Sequence, residues 1–242
     1  MAPNFRPVFI QIVRRHYKNR KYEQKDSDME KEKIFDSLIP KDRNLDRIAT
    51  EADKNPELVS YLLEGVQNKN VRIKYGCFNT LVLISEKKPE LLYPHFDLFV
   101  EYLNSDNNIF KLGSIKMISN LSKVDSQKKF DKIFDKFYSF IRDPEMTPAA
   151  NVSKGSIIIA KAKPHLTENI TNQLLTVSQT KYKTKECKNI LIGHVISSFD
   201  KMFNKLEYKD MVMQFVEKNL NNPWKGTKSK AEKFLKKRKS TA

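Results

Sequence analysis

Apolar residues recur along this chain at the spacing of one helical face, in blocks separated by short polar turns. Leu58, Val59, Leu62, Leu63 and Val66 fall at i, i+1, i+4, i+5 and i+8, one stripe of an α-helix. A second block carries Leu91, Leu92, Phe96, Phe99, Val100 and Leu103, and a third Phe130, Ile133, Phe134, Phe137, Tyr138 and Ile141. A fourth, less regular, has Leu166, Ile170, Leu174 and Leu175, and a fifth Met211, Val212, Phe215, Val216 and Leu220. Three blocks open on proline, as Pro56-Glu57-Leu58, Pro89-Glu90-Leu91 and Pro164-His165-Leu166. Proline fits the first turn of a helix, where its missing N–H costs nothing. Asn55 is placed to cap the first of these starts.

Polar turns at 67–70, 104–108, 142–147 and 179–184 lead from the first four blocks into a second set of predicted helices. These align on a pair of small residues: Gly76-Cys77, Gly113-Ser114, Gly155-Ser156 and a degenerate Glu186-Cys187. The second members are spaced 37, 42 and 31 residues apart. Helix pairs repeating at such periods predict a solenoid, because a lone pair leaves an apolar stripe that only a neighbour can cover. Glycine inside a helix costs about 1 kcal/mol relative to alanine. A glycine held three times in one column therefore implies close helix crossings. With six glycines in 242 residues, the chain is also short of the turn residues an all-β fold needs.

The stretch Asn70-Val71-Arg72 through Gly76-Cys77-Phe78 to Leu81 resembles the start of the second helix of a HEAT repeat, and Asn108 to Ile115 is a looser copy. The likeness to the HEAT/armadillo family covers roughly 55–205. It implies an all-α fold, a right-handed α-α superhelix of about five to six antiparallel helix pairs. It also implies that the second helix of each pair lines a concave face. Residues 29–54 read as a shorter, acidic pair, with Ile34, Leu38 and Ile39 in one helix and Leu45, Ile48 and Ala49 in the next. The domain reading is a basic amphipathic arm over 1–28, a repeat domain over 29–224, and a basic helix or tail over 225–242.

Charge sharpens this picture at the two ends. The net charge is +16, of which +6 sits in residues 1–25 and +7 in residues 225–242. Basic ends attract phosphate, anionic lipid or an acidic protein surface, all weakened by salt. Cys77 and Cys187 lie 110 positions apart without a CxxC pattern, so they read as core residues and not as a disulfide framework or zinc site. No apolar run approaches the roughly 18–20 residues that span a bilayer, and the first residues lack a secretory layout. The expectation is a soluble intracellular protein, cytoplasmic, with Lys236-Lys237-Arg238-Lys239 having the composition of a nuclear-import or nucleic-acid patch.

The inventory of reactive groups points away from catalysis. His16, His95, His165 and His194 fall in separate segments without metal-ligand spacing, and no glycine-rich phosphate loop or nucleophile elbow is present. No catalytic residue, metal or cofactor is therefore expected. Alkylpurine DNA glycosylases built from helical repeats are the enzyme class this architecture brings to mind. Here the single tryptophan, Trp224, falls in a Pro-Trp turn beyond the main stack and reads as a cap.

Binding is the remaining chemistry. Lys74, Lys111, Lys154 and Lys185 sit one or two positions before the small-residue columns. On the resembled fold they would form a basic ladder along the concave face. In the N-terminal arm, Phe5, Phe9, Ile12 and Val13 share a face while Arg14, Arg15, Lys18, Arg20 and Lys21 crowd the rest. Such a helix can enter a partner's groove, track nucleic-acid phosphates or lie on an anionic membrane. The leading expectation is a non-enzymatic scaffold or adaptor that binds a protein partner on its curved surface, with basic termini touching an acidic partner. The runner-up is a nucleic-acid-binding protein that uses the basic arms and the concave lysines. A glycosylase-like repair enzyme is a distant third.

Overall fold

Asparagines, threonines and prolines open the helices of this chain, and buried aromatic and branched side chains hold them together. The computed structural model describes residues 27–239, and every regular element among them is helical. The chain divides into two compact units, residues 1–80 and 81–242.

The first unit holds α1 (27–37), α2 (Leu45–Glu51), α3 (Glu57–Gly65) and the opening of α4 (Val71–Lys87). Asn44 caps α2 by accepting the Arg47 N–H at 2.9 Å, and Asn70 accepts the Arg72 N–H at 2.9 Å. Each side chain satisfies a donor that the first turn leaves without a partner. The Arg72 guanidinium reaches back to the Ile39 carbonyl at 3.2 Å. Leu38, Ile48, Ala49, Leu58, Leu62 and Phe78 are buried, as the stripes predict. Cys77 is buried too, and burial pushes its thiol up to about 12, so it is an inert core residue.

In the second unit the long helices follow the expected order, whereas the helices between them are short and broken. Pro89 to Leu103 is not one helix. It forms α5 (Pro89–Leu92), a 3₁₀ turn at Tyr93–His95 and α6 (Phe96–Tyr102). Pro94 inside the apolar run lacks the N–H that a continuous helix requires. The third block splits likewise, into α8 (Lys129–Lys132) and α9 (Phe134–Ser139), with Ile133 between them at φ −107° and ψ 7°. Then come α11 (Thr167–Leu175), after a 3₁₀ turn at Pro164–Leu166, and α13 (Lys209–Lys218). Met211 does not share the α13 core stripe: it is 45% exposed, while Val212, Phe215 and Val216 are buried. The stripe runs at i, i+3 and i+4 from Val212, and Met211 lies about 100° away around the axis.

The long helices are α7 (Asn108–Leu121), α10 (Met146–Ala162), α12 (Lys185–Met202) and α14 (Lys225–Lys239). They pack in that order, α7 on α10, α10 on α12 and α12 on α14, while α6, α11 and α13 pack against α7, α10 and α14. Phe96, Phe99, Ile115, Ile118, Phe137, Ile159, Leu191 and Phe199 are buried between them. Phe130, Phe137 and Tyr138 meet edge to face, with centroids 5.3 and 5.4 Å apart, the arrangement ring quadrupoles favour. The final stretch is a helix anchored on the core. Ala231, Phe234 and Leu235 are buried, and Thr227 Oγ1 donates to the Asn189 carbonyl of α12 at 2.6 Å.

Candidate anion-binding surface

Small residues meet wherever two long helices of the second unit cross. A Cβ added at Gly155 of α10 would collide with Ser119 Oγ of α7, and one at Gly193 of α12 would collide with Thr227 Oγ1 of α14. Between them, Ser198 of α12 donates to the Ser153 carbonyl of α10 at 2.8 Å. These crossings answer the packing requirement of the glycine column at Gly155. They also set which residues of each long helix face away from the short ones.

That outward face forms a cleft of about 320 Å³ between α7 and α10. From α7 and the turn after it come Lys116, Ser119, Asn120 and Lys123, at i, i+3, i+4 and i+7. From α10 come Asn151, Lys154, Gly155 and Ile158, at the same spacing. Two helices thus offer matched faces to one cleft. Asn120 is buried and held by its amide donating to Ser85 Oγ at 3.1 Å. Lys116, Lys123 and Lys154 are exposed at the rim, and among the described residues none of the three is paired with a carboxylate. Glu86 is the one acid of the lining. Three ammonium groups against one carboxylate leave the cleft net positive, and its low-dielectric walls concentrate that field on an incoming anion.

The predicted ladder is brought together only in part. Lys154 lines the cleft. Lys111 does not: it lies five residues before Lys116, about 140° around α7, and is half-buried on another face. Lys185 is the exposed first residue of α12 and lies outside the cleft lining. Lys74 belongs to the first unit, half-buried on α4. Aligning the lysines by their distance from the small residues placed them on different faces. Lys116 and Lys123 fall outside the small-residue columns, and the signal for them is that each stands three residues from a polar Ser119 or Asn120 that shares its face.

At the C-terminus the basic patch is divided. Lys236 and Lys237 are exposed, with Lys237 Nζ 3.5 Å from Asp200 Oδ1, and Lys239 ends α14. Arg238 is not part of an open patch. Its side chain is 11% exposed, ion-paired with Asp200 and stacked on Phe234 and Phe203, with centroids 3.7 and 4.5 Å away. Arg14, Arg15, Lys18, Arg20 and Lys21 lie outside the described residues. Trp224 immediately precedes α14 and lines no part of the cleft.

A second charged cluster is centred on a buried lysine and carboxylate. Lys163, with a side chain 5% exposed, contacts Asp125 at 2.8 Å and Asp131 at 2.6 Å. Asp125 also accepts from the Tyr93 hydroxyl at 2.6 Å and from the N–H groups of Lys129 and Phe130 at 2.8 and 2.9 Å, so it caps α8. His165 Nε2 lies 2.6 Å from Asp131. Burial alone would raise the pKa of Asp125, yet hydrogen bonds from Lys163, Tyr93 and the two N–H groups outweigh it and hold the carboxyl below its usual range. Asp131 is lowered in the same way by Lys163 and His165, and the two carboxylates hold Lys163 above its usual value. Every member of this cluster already has its partners, and it joins three turns to one another.

Among the described residues no helix is long and apolar enough to cross a membrane. No family model matches the chain. No curated protein matches it either. Among solved structures it is similar to the crystal structure of an engineered protein from the Northeast Structural Genomics Consortium. That likeness has 13% identity and a TM-score of 0.49, and covers 87% of this chain and 97% of that one.

Proposed function

We propose that this protein is a non-enzymatic, HEAT-like helical-repeat module, a right-handed stack of about five to six helix pairs, that holds an anionic macromolecule against its long helices. The observation that carries this reading is the lysine-lined cleft: Lys116, Lys123 and Lys154 face one space from two helices without carboxylate partners. Unpaired cations gathered on matched faces repel one another, and an anion placed between them relieves that repulsion. A partner protein enters through a different observation. Tyr208, Met211 and Trp224 are exposed, and aromatic or methionine side chains of this kind are the usual anchors of a protein interface. On that reading the stack is a scaffold, and its basic termini touch an acidic stretch of the same partner.

Two variants of equal net charge test the cleft. Lys116→Glu with Lys154→Glu is compared with Lys132→Glu and Lys218→Glu, exposed lysines elsewhere on the second unit. On immobilised heparin the cleft variant is expected to elute at clearly lower salt than the control variant. Equal displacement of the two would mean that only total charge matters, and the cleft would lose its role.

A further inference from the structure

The cationic face continues beyond the cleft. On α12, Gly193 faces Thr227 of α14 and Ser198 faces Ser153 of α10. The face left between those two contacts carries His194 and Ser197. Partial burial, then the charges of Lys230 and Lys154, hold the His194 imidazole below its usual range, so a lysine from each neighbouring helix acts on this residue. The pairs Asn189–Thr227 and Asp200–Arg238 show that α12 and α14 run in the same direction. Their common direction, with Lys230 Cδ 3.4 Å from where a Cβ on Gly193 would stand, places Lys230 of α14 along the edge next to His194. Four successive helices thus each present a phosphate-accepting side chain on one face: the lysines Lys116 and Lys123, Lys154 and Lys230, with the largely uncharged His194 imidazole of α12 between the last two.

We propose that the occupant of this face is the phosphate backbone of a nucleic-acid duplex, laid across α7, α10, α12 and α14. The proposal rests on the anion-binding reading above and names its ligand class. Packed helices are about 8–10 Å apart, so the face extends over roughly 25–30 Å, close to the roughly 34 Å of one duplex turn. Its lysines are point charges on flexible stems, suited to phosphates and not to the planar, bidentate capture that arginine provides. No described residue lining the cleft is aromatic, so it offers no stacking platform of the kind that holds single strands. Its apolar contribution is the half-buried Ile158, little purchase for the side chains of an acidic peptide.

The test uses the full chain and three fluorescent probes: a 20-base-pair duplex of arbitrary sequence, a single strand of the same length, and poly-glutamate. Affinities are measured between 50 and 200 mM salt. The duplex is expected to bind best and without sequence preference, with log affinity falling against log salt at a slope of about −4. Lys154→Gln with Lys230→Gln, which leaves the basic segment 1–25 and the run Lys236 to Lys239 intact, should weaken duplex binding at least tenfold and flatten the slope by about 2. Thermal stability should change little, since Lys154 is exposed and glutamine keeps most of the half-buried Lys230 stem while relieving a partly desolvated charge. Preference for poly-glutamate or for the single strand would overturn the duplex assignment while leaving the anionic reading standing. Binding of none of the three would end both. Duplex binding that the double variant leaves unchanged would move the contact to the termini and overturn the proposal.

Discussion

Replacing Lys163 with methionine is expected to cost about 3 kcal/mol of stability, the low end of what removing one partner from a buried ion pair does. The methionine matches the length of the lost stem, so the loss is electrostatic and not a cavity. Asp125, whose side chain is fully buried, would keep Tyr93 and two backbone N–H donors, which holds the cost at that low end. For a protein of this size the thermal midpoint should fall by roughly 6–12 °C. The variant with Asp125→Asn added should lose less than the sum of the two single changes, because the second removes the charge that the first leaves unpaired.

The same cluster sets an acid limit. Asp125 and Asp131 have folded-state pKa values below their unfolded ones. Their contribution is fully present above the unfolded carboxylate value of about 3.9 and is lost as pH falls through the lower folded values. The pKa of Lys163 is raised, so its share is present below about 10.4 and lost only in strong alkali. Urea midpoints of the parent and Lys163→Met chains should therefore differ steadily between pH 5 and 9 and converge below about pH 4. A constant difference down to pH 2 would mean the lysine stabilises by packing alone.

Arg238→Ala carries the second large expected effect, a loss of about 2–3 kcal/mol. The guanidinium lies 3.7 Å from the Phe234 centroid and 4.5 Å from that of Phe203, donates to the Asp200 carbonyl at 3.2 Å, and pairs with the Asp200 carboxylate. A desolvated cation–π contact is worth about 2 kcal/mol, and the ion pair adds less because Asp200 is 37% exposed. Arg238→Lys should recover under half of the loss, since an ammonium cannot stack on the two rings as the planar group does. Lys233→Ala on the exposed face should stay within about 0.5 kcal/mol. Hydrogen exchange would place the damage: amides over 231–239 should lose protection in Arg238→Ala and keep it in Lys233→Ala.

These two residues mark where the sequence could and could not be read. Helical stripes and small-residue columns depend on local spacing, so the core at Leu58, Phe99, Phe137 and Val216, and the close crossing at Gly155, were legible. The breaks at Pro94 and Ile133 were harder, because the apolar period continues through them while the backbone does not. Lys163, Asp125, Asp131 and Tyr93 come from separate turns, and only tertiary folding makes them one cluster. Arg238 sits in an unbroken basic run, and its stacking on Phe234 and Phe203 depends on residues that only the folded chain brings within its reach. The lysine ladder was not legible as a single face for a geometric reason: five residues turn a helix by about 140°, so Lys111 and Lys116 stand on different faces of α7.

Lysine footprinting tests the central claim most directly. The full chain is acetylated briefly with and without saturating 20-base-pair duplex, and modification is counted residue by residue by mass spectrometry. Lys116, Lys123, Lys154 and Lys230 should become at least several-fold less reactive with the duplex bound, while Lys132 and Lys218 keep their rates. Protection confined to the lysines of residues 1–25, with these four unchanged, would contradict the assignment of the long-helix face as the binding surface.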